Sequence, residues 1–333
     1  MHKPFANLTP DLMLDMLELG GFIVDGRLTA LNSYENRVML VGIEEQPEIV
    51  AKFYRPERWS NEQILEEHAF TQRLLDAEVE VVAPQEFTQT QHCIASTLIE
   101  HEGYRLAVFP KRWGQPIELD NLDQLEMIGR VLGRLHAVGM DETFEHRITF
   151  TPEKFGWQAR QICLQSDMIP LELMPAYESV SEQLLDKIDR QWRSSEIFNI
   201  SLHGDFHPGN ILIRDEQPLL VDFDDCVSGP AIQDIWMLLS GDHELQLQQL
   251  ARIAKGYSMF CHFPMSELGL IECCRSLRMI HYAAWLSSRW NDPAFPRAFP
   301  WFESPRFWSD HILQLREQLA AMDLPAPSLT HLL

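Results

Sequence analysis

The spacing of apolar residues changes partway along the chain. Up to about residue 110 they come in short runs, Phe22 to Leu31, Val38 to Ile43, Glu48 to Tyr54, Thr97 to Glu100 and Tyr104 to Phe109. Turn-formers bound these runs, Glu44-Glu45-Gln46-Pro47 between the second and third and Glu102-Gly103 between the last two, which predicts strands joined as hairpins. Two helices interrupt them. One opens at Thr9-Pro10. The other is capped by Ser60 with Gln63 and runs to about Ala77, with Ile64, Leu65, Ala69, Leu74 and Leu75 as its apolar residues. Beyond the polar segment Lys111 to Pro116 the spacing becomes helical. Leu125, Ile128, Leu132 and Leu135 follow a start at Asp120 or Asn121, and Val180, Leu184, Leu185, Ile188 and Trp192 repeat the pattern. Ile235 to Leu239, Leu247 to Phe260, Leu268 to Trp290 and Phe307 to Leu319 also read as helices.

One stretch of the second half departs from this: SLHGDFHPGNILIRDEQPLLVDFDD, from Ser201 to Asp225. Its apolar runs, Ile211 to Ile213 and Leu219 to Val221, are short and bounded by Pro208-Gly209-Asn210 and by Asp215-Glu216-Gln217-Pro218, which predicts a tight hairpin rather than a helix. The fold class expected is α+β, with a small antiparallel-sheet lobe over 1–110 carrying one main helix and a larger, mostly helical lobe over 111–333.

Composition narrows the picture. A chain of 333 residues has room for two cores, and its 45% hydrophobic content is ordinary for a globular protein. No run nears the roughly 18 uninterrupted apolar residues that span a bilayer, and the start lacks a charged-then-apolar leader, so the cytoplasm and no membrane partner are expected. The chain is also expected to be a monomer. The six cysteines are scattered with no C-x-x-C pair, which predicts buried free thiols rather than a zinc site or disulfides. A net charge of −22 disfavours nucleic acid and anionic lipid as partners, and suits either a cationic substrate or plain solubility.

The candidate chemistry lies in the Ser201 to Asp225 stretch. A hairpin of that length returns Asp222 towards Asn210 and Asp205, gathering oxygen donors suited to a metal and a phosphate. Asp205 and Asn210 stand in H-G-D-x-x-x-x-N, the spacing of the protein-kinase catalytic loop with Gly in place of Arg. Alone, each of these residues reads as a turn or strand-end residue. Together and in order they read as a phosphoryl-transfer site, with Lys52 on the third strand and a glutamate-bearing helix after it as the phosphate-binding pair.

L-H-G-D-F-H-P-G-N-I-L, V-D-F-D-D and Gly229-Pro230-x-x-x-Asp234 resemble the aminoglycoside phosphotransferase and choline kinase family, whose fold is protein-kinase-like and two-lobed. Leu31 to Val38, Lys52 to Trp59 and Asp292 to Pro296 are similar to the bacterial stress response kinase A group, which phosphorylates protein serine and threonine. The resemblance implies an ATP- and Mg2+-dependent kinase whose 1–110 lobe binds nucleotide. It implies Asp205 as catalytic base, Asn210 and Asp222 as magnesium ligands, and Lys52 on the α- and β-phosphates. Glu67 is the expected partner of Lys52, since Phe70, Thr71 and Leu74 follow it at helical spacing; Glu66 is the alternative. Asn32, Ser33 and Asn36 match the turn where a protein kinase has its Gly-rich loop. With no G-x-G-x-x-G here, Ser33 and Asn36 are expected at the phosphates and Phe109 at the adenine hinge.

Other assignments stay open. His207 either meets the transferring phosphate or packs in its loop, while His203 reads as a brace and Asp234 as a tether of the catalytic loop. Asp224 and Asp225 stand where the Gly of D-F-G would be, as ligands of a second metal or as attraction for a cationic substrate. The aromatic-rich end, Trp285 to Trp308, forms either a cage for a quaternary amine or the core of a helical lobe. The acceptor is thus a protein, or a small amino-alcohol, aminoglycoside or sugar. A metal-dependent hydrolase built on His203, Asp205 and His207 is the rival from another class.

Overall fold

The computed structural model of the chain describes residues 4–89 and 91–329. Met1 to Lys3, which entered the reading of the N-terminal leader, lie outside them. The chain packs as two compact units, Met1–Pro116 with Ile211–Asp224, and Ile117–Asn210 with Asp225–Leu333. A single cut near residue 110 does not describe this division: residues 111–116 and the 211–224 hairpin go with the first unit.

In the first unit α1 (Pro10–Leu19) starts where Thr9 accepts the Leu12 amide at 3.2 Å, with Pro10 preset for the first turn. Strands β1 (Val24–Ala30), β2 (Arg37–Ile43) and β3 (Gln46–Tyr54) follow. The turn between β2 and β3 takes only Glu44 and Glu45, with Glu45 at φ 56°, so Gln46 and Pro47 already belong to the strand. Helix α2 (Asn61–Asp76) carries the full capping box, Gln63 N to Ser60 Oγ at 3.2 Å and Ser60 N to Gln63 Oε1 at 2.9 Å. Then come β4 (Cys93–Ala95), β5 (Leu98–His101), β6 (Tyr104–Pro110) and the two-residue β7 (Gln115–Pro116).

Among the described residues, strands β1-β2-β3-β6-β5-β4 form an antiparallel six-stranded sheet in that order. Met13, Met16 and Leu17 of α1 pack on one part of it with Val41, Phe53, Leu106 and Val108, all buried. The buried stripe of α2 is Ile64, Glu67, His68, Phe70, Thr71 and Leu74. Ala69 and Leu75, expected among its apolar contacts, are exposed, and polar members of the stripe replace them: His68 meets Tyr54 Oη at 2.9 Å and Thr97 Oγ1 at 2.8 Å.

The second unit is helical. It holds α3 (Leu122–Asp141), α4 (Gln158–Gln165) behind a π-helical turn at Glu153–Trp157, and α5 (Met174–Ser194). Strand β8 (Ile200–Leu202) then leads into the loop 203–210. The chain next forms the hairpin β9 (Ile211–Arg214) and β10 (Gln217–Leu220) in the first unit, turning at Asp215 and Glu216 with φ 49° and 62°. β7 adds to β9, and β10 is held by Leu220 N to Glu80 O at 2.9 Å and Val82 N to Leu220 O at 3.0 Å.

Back in the second unit, β11 (Val227–Gly229) pairs with β8. It is followed by α6 (Ile232–Ile235), α7 (His243–Tyr257), α8 (Ile271–Arg289), α9 (Ala294–Ala298) and α10 (Pro305–Ala321). Helices α3 and α7 approach closely enough that a Cβ on Gly256 would stand 2.0 Å from Glu126 O, so only glycine fits there. Phe295, Phe302 and Trp308 are fully buried among tilted and edge-on rings, which makes the aromatic-rich end a core in this unit. Among the described residues no helix is long and apolar enough to cross a membrane.

Candidate active site

Two sets of polar side chains stand out, one in each unit. In the first, Lys52 sits on β3 opposite Val38 of β2 and Ala107 of β6. Its Nζ is 3.2 Å from Glu67 Oε1 of α2, both side chains being almost fully buried. The spacing that puts Glu67 in the stripe with Phe70, Thr71 and Leu74 is what aims it at the sheet. Lys52 Nζ also lies 2.7 Å from Asp224 Oδ1 and 4.0 Å from Asp222 Oδ1. Burial favours the neutral amine, but the Asp224 and Glu67 carboxylates outweigh it and hold the Lys52 pKa well above the ordinary lysine value.

Asp222 ends the hairpin in the left-handed region, φ 60°, a backbone strain that non-glycine residues adopt where surrounding structure imposes it. Its side chain is 62% exposed and so open to a ligand, whereas Asp224, two residues on, is buried. Arg58, from the segment after β3, makes a short ion pair with Asp224 Oδ2.

Ser33, Asn36 and Phe109 belong to the same unit. Asn36 is buried, and its Oδ1 accepts the Arg55 amide at 3.0 Å. Ser33 Oγ donates to Asn36 O at 3.3 Å, and Arg55 Nε donates to Glu35 O at 2.9 Å. Asn36 therefore shapes the 31–36 turn by pinning it to the end of β3. Phe109 pairs with Val50 across the sheet, its ring edge-on to His68 and 5.8 Å below Lys52 Nζ.

In the second unit the loop after β8 is built around Asp234 of α6. Asp234 is fully buried and accepts from His203 N at 2.8 Å and Gly204 N at 2.9 Å, with His136 Nε2 at 3.2 Å and His136 Nδ1 in turn 2.9 Å from Tyr257 Oη. Gln233 Nε2 holds Gly204 O at 3.1 Å. Gly204 has φ +84°, and a Cβ there would stand 2.1 Å from Asp225 O, so this position needs glycine just before Asp205. The start of α6 is fixed by Glu267, whose Oε2 accepts Ile232 N at 3.0 Å and whose pKa burial pushes up to about 7.

Asp205 Oδ1 lies 2.5 Å from Arg278 Nη1 of α8, and its Oδ2 lies 3.4 Å from His207 Nε2. Burial pushes its pKa up, but the His207 contact and the Arg278 charge outweigh this and leave it below the usual carboxylate range, so the group is ionised at neutral pH. Asn210 Nδ2 donates to Asp205 O at 2.9 Å, so its amide oxygen is the end of the side chain that could face a cation.

A carboxylate at Asp222 and an amide oxygen at Asn210 are hard donors of the kind that, with phosphate oxygens and water, suit Mg2+ or Ca2+. The alternation of His203, Asp205 and His207 does not make a zinc triad. His203 Nδ1 accepts Asp205 N at 3.3 Å and His207 Nδ1 accepts Gly209 N at 2.9 Å. Among the described residues no three His, Cys, Asp or Glu are grouped to hold a metal ion.

Sequence reasoning left Asp224 open and passed over Arg58 and Arg278. Arg58 lies inside the Lys52 to Trp59 string, where nothing local marks it, and Arg278 is 73 residues from the aspartate it meets.

Known proteins resemble this chain over nearly its whole length. The model of the phosphotransferase enzyme family matches residues 27–268. Stress response kinase A of Shigella flexneri is 43% identical over 326 residues, covering 98% of this chain and 97% of its own length. The serine/threonine protein kinase RdoA of Salmonella typhimurium is 42% identical with the same coverage. Among solved structures, amicoumacin kinase hAmiN in complex with AMP-PNP, Ca2+ and Ami superposes with a TM-score of 0.74 at 18% identity, covering 100% of this chain and 99% of that one. The α+β kinase-like fold expected from the sequence is the one found.

Proposed function

The chain belongs to the phosphotransferase enzyme family and is an ATP-dependent kinase, and on that premise we propose that it transfers the γ-phosphoryl group to serine or threonine hydroxyls of proteins. The observation that carries the choice of acceptor is the 42% identity, over 98% of the chain, with a relative named as a serine/threonine protein kinase. The amicoumacin kinase reaches only 18%. Arg278 supports the same choice: a guanidinium 2.5 Å from Asp205 Oδ1 repels the ammonium groups of an aminoglycoside or amino-alcohol where its hydroxyl would have to sit.

In this reading Lys52, held by Glu67, binds the α- and β-phosphates, with Ser33 and the turn pinned by Asn36 beside them and Phe109 at the adenine. Asn210 and Asp222 hold Mg2+, which when bound offsets phosphate charge. Asp205 accepts the hydrogen bond of the acceptor hydroxyl and orients its oxygen. The new O–P bond forms as the bond from the γ-phosphorus to the bridging oxygen breaks, ADP leaves, and the proton passes through Asp205 to solvent. A carboxylate below its usual pKa is a weak base and a good orienting acceptor, which suits a step with little need for early proton removal. His207 fixes the second Asp205 oxygen. The nucleotide-binding role falls to the 1–110 region, and the enzyme works as a cytoplasmic monomer without nucleic acid.

The test is incubation with labelled ATP and Mg2+ alongside serine/threonine peptides, a generic basic protein and a panel of amino-alcohols and aminoglycosides. Label on the peptides or protein is expected. Label confined to a small amine would replace the acceptor, and tightly held stoichiometric zinc without transfer would favour a hydrolase.

A further inference from the structure

Asp224 sits between two cations. Its Oδ1 is 2.7 Å from Lys52 Nζ and its Oδ2 is paired with Arg58 Nη1, the three side chains being 5%, 8% and 12% exposed for Asp224, Lys52 and Arg58. Each cation has a second carboxylate. Lys52 has Glu67 at 3.2 Å, and Arg58 Nε has Glu35 Oε1 at 3.7 Å, which also meets Arg55 Nε at 3.0 Å. Lys52, Arg55 and Arg58 thus alternate with Glu67, Asp224 and Glu35 along one buried chain. It runs from α2 through β3 to the 31–36 turn.

Buried cations need anionic partners, because the cost of desolvating an unpaired charge is several kcal/mol or more. Glu67 and Arg55 lie at the two ends of this chain, with Asp224 and Glu35 each between two cations. The middle position, bridging an ammonium and a guanidinium, has the geometry of a phosphate cradle, since Arg presents a planar fork and Lys a point charge to the same oxyanion. A carboxylate is the side-chain group closest in charge and acceptor geometry to a phosphate oxygen pair. Asp222, at the mouth of the same hairpin, is solvent-exposed while Asp224 is turned inward.

We infer that Arg58 is a second phosphate-binding cation of the nucleotide site, and that Asp224 is an internal stand-in for phosphate which a bound polyphosphate displaces from Lys52 and Arg58. The inference rests on the nucleotide-binding reading above and adds to it a residue and a competition. Asp224 keeps Lys52 and Arg58 charged and positioned without nucleotide, and it lowers the apparent affinity for phosphates by having to be displaced. Arg58 also couples the phosphates to the 31–36 turn through Glu35 and Arg55.

Calorimetric titration of the full chain with ATP, ADP and adenosine, with and without Mg2+, tests it. Arg58→Ala is expected to weaken ATP and ADP by about 10- to 100-fold, the loss of one charge-assisted bond, and adenosine by less than about twofold. Asp224→Asn keeps the shape, removes the competing charge, and is expected to tighten Mg2+-free ATP about fivefold or more. Equal losses for ATP and adenosine in Arg58→Ala would make Arg58 a structural brace and overturn the inference. So would weaker Mg2+-free ATP binding in Asp224→Asn. Arg58→Lys, which retains the charge, should recover part of the ATP affinity if the variant is folded, and no recovery counts against phosphate binding. If the wild-type chain binds ATP more tightly than adenosine and Arg58→Ala leaves that difference unchanged, the inference alone falls; if the wild-type chain binds ATP no better than adenosine, or binds neither, the nucleotide reading falls with it.

Discussion

Replacing Asp234 by alanine should loosen the catalytic loop without touching a reacting group. The Asp234 carboxylate is fully buried and takes the His203 amide at 2.8 Å and the Gly204 amide at 2.9 Å, with His136 Nε2 at 3.2 Å. Alanine leaves one buried and one part-buried N–H donor without the carboxylate they bond, at roughly 1–3 kcal/mol each. Water admitted to the space left by the carboxylate recovers part of this, so the expected loss is about 3–4 kcal/mol, local to residues 203–205. Hydrogen exchange reads it directly, since each 1.4 kcal/mol is tenfold: exchange of the His203 and Gly204 amides should speed up by about 100- to 1,000-fold. Asp205 follows Gly204 directly, so its carboxylate loses its place, and phosphoryl transfer should fall at least about 100-fold. ATP affinity should hold. Asp234→Asn, which keeps one oxygen acceptor, should fall between the two. Exchange within about threefold of wild type in Asp234→Ala would refute the tether, and with activity also unchanged it would remove Asp234 from any role at the site.

Three other outcomes are expected. Asp205→Ala and Asp222→Ala should each cut transfer to peptide at least about 1,000-fold with circular dichroism unchanged, and activity within tenfold of wild type in either would mean the site is misassigned. Glu267 has its folded-state pKa raised to about 7 from 4.5, so the fold binds a proton there that the unfolded chain releases. Its contribution is full below pH 4.5 and is lost as pH rises through about 7; Glu267→Gln, which keeps an acceptor for Ile232 N, should therefore flatten the fall in urea-unfolding midpoint over that window. In the 211–220 hairpin, Asp215 and Glu216 both adopt positive φ, 49° and 62°. Asn-Gly at these two positions should raise the first unit's stability by about 0.5–1.5 kcal/mol, measured as a shift in thermal midpoint, and a fall would mean the turn residues make contacts beyond their backbone.

Much of the site was legible before any tertiary structure. Glu67 shares a helix face with Phe70, Thr71 and Leu74 in the sequence, and that face is the one buried. The hairpin was readable from two apolar runs around turn-formers, and the capping box from Ser60 and Gln63. These features are local: a cap, a turn and a helix stripe are set by residues within about four positions, where the steric and hydrogen-bond preferences of each residue type act directly. Short elements were missed for the same reason. β4 and β7, of three and two residues, have too few positions to show a period, and they exist because neighbouring strands pair with them.

Residue order alone marked H-G-D-x-x-x-x-N, Asp222 and Lys52 as the candidate phosphoryl-transfer residues, and it set a strand-rich first part against a helical second part. Tertiary structure decided which charges meet. It put the 211–224 hairpin into the first unit through bonds to residues 80–82, and so brought Asp224 to Lys52 and Arg58. It also set Arg278 against Asp205 from 73 positions away. Ion pairs of this kind depend on the packing of whole elements, and a charged residue in a sequence carries no mark of the partner that packing will give it.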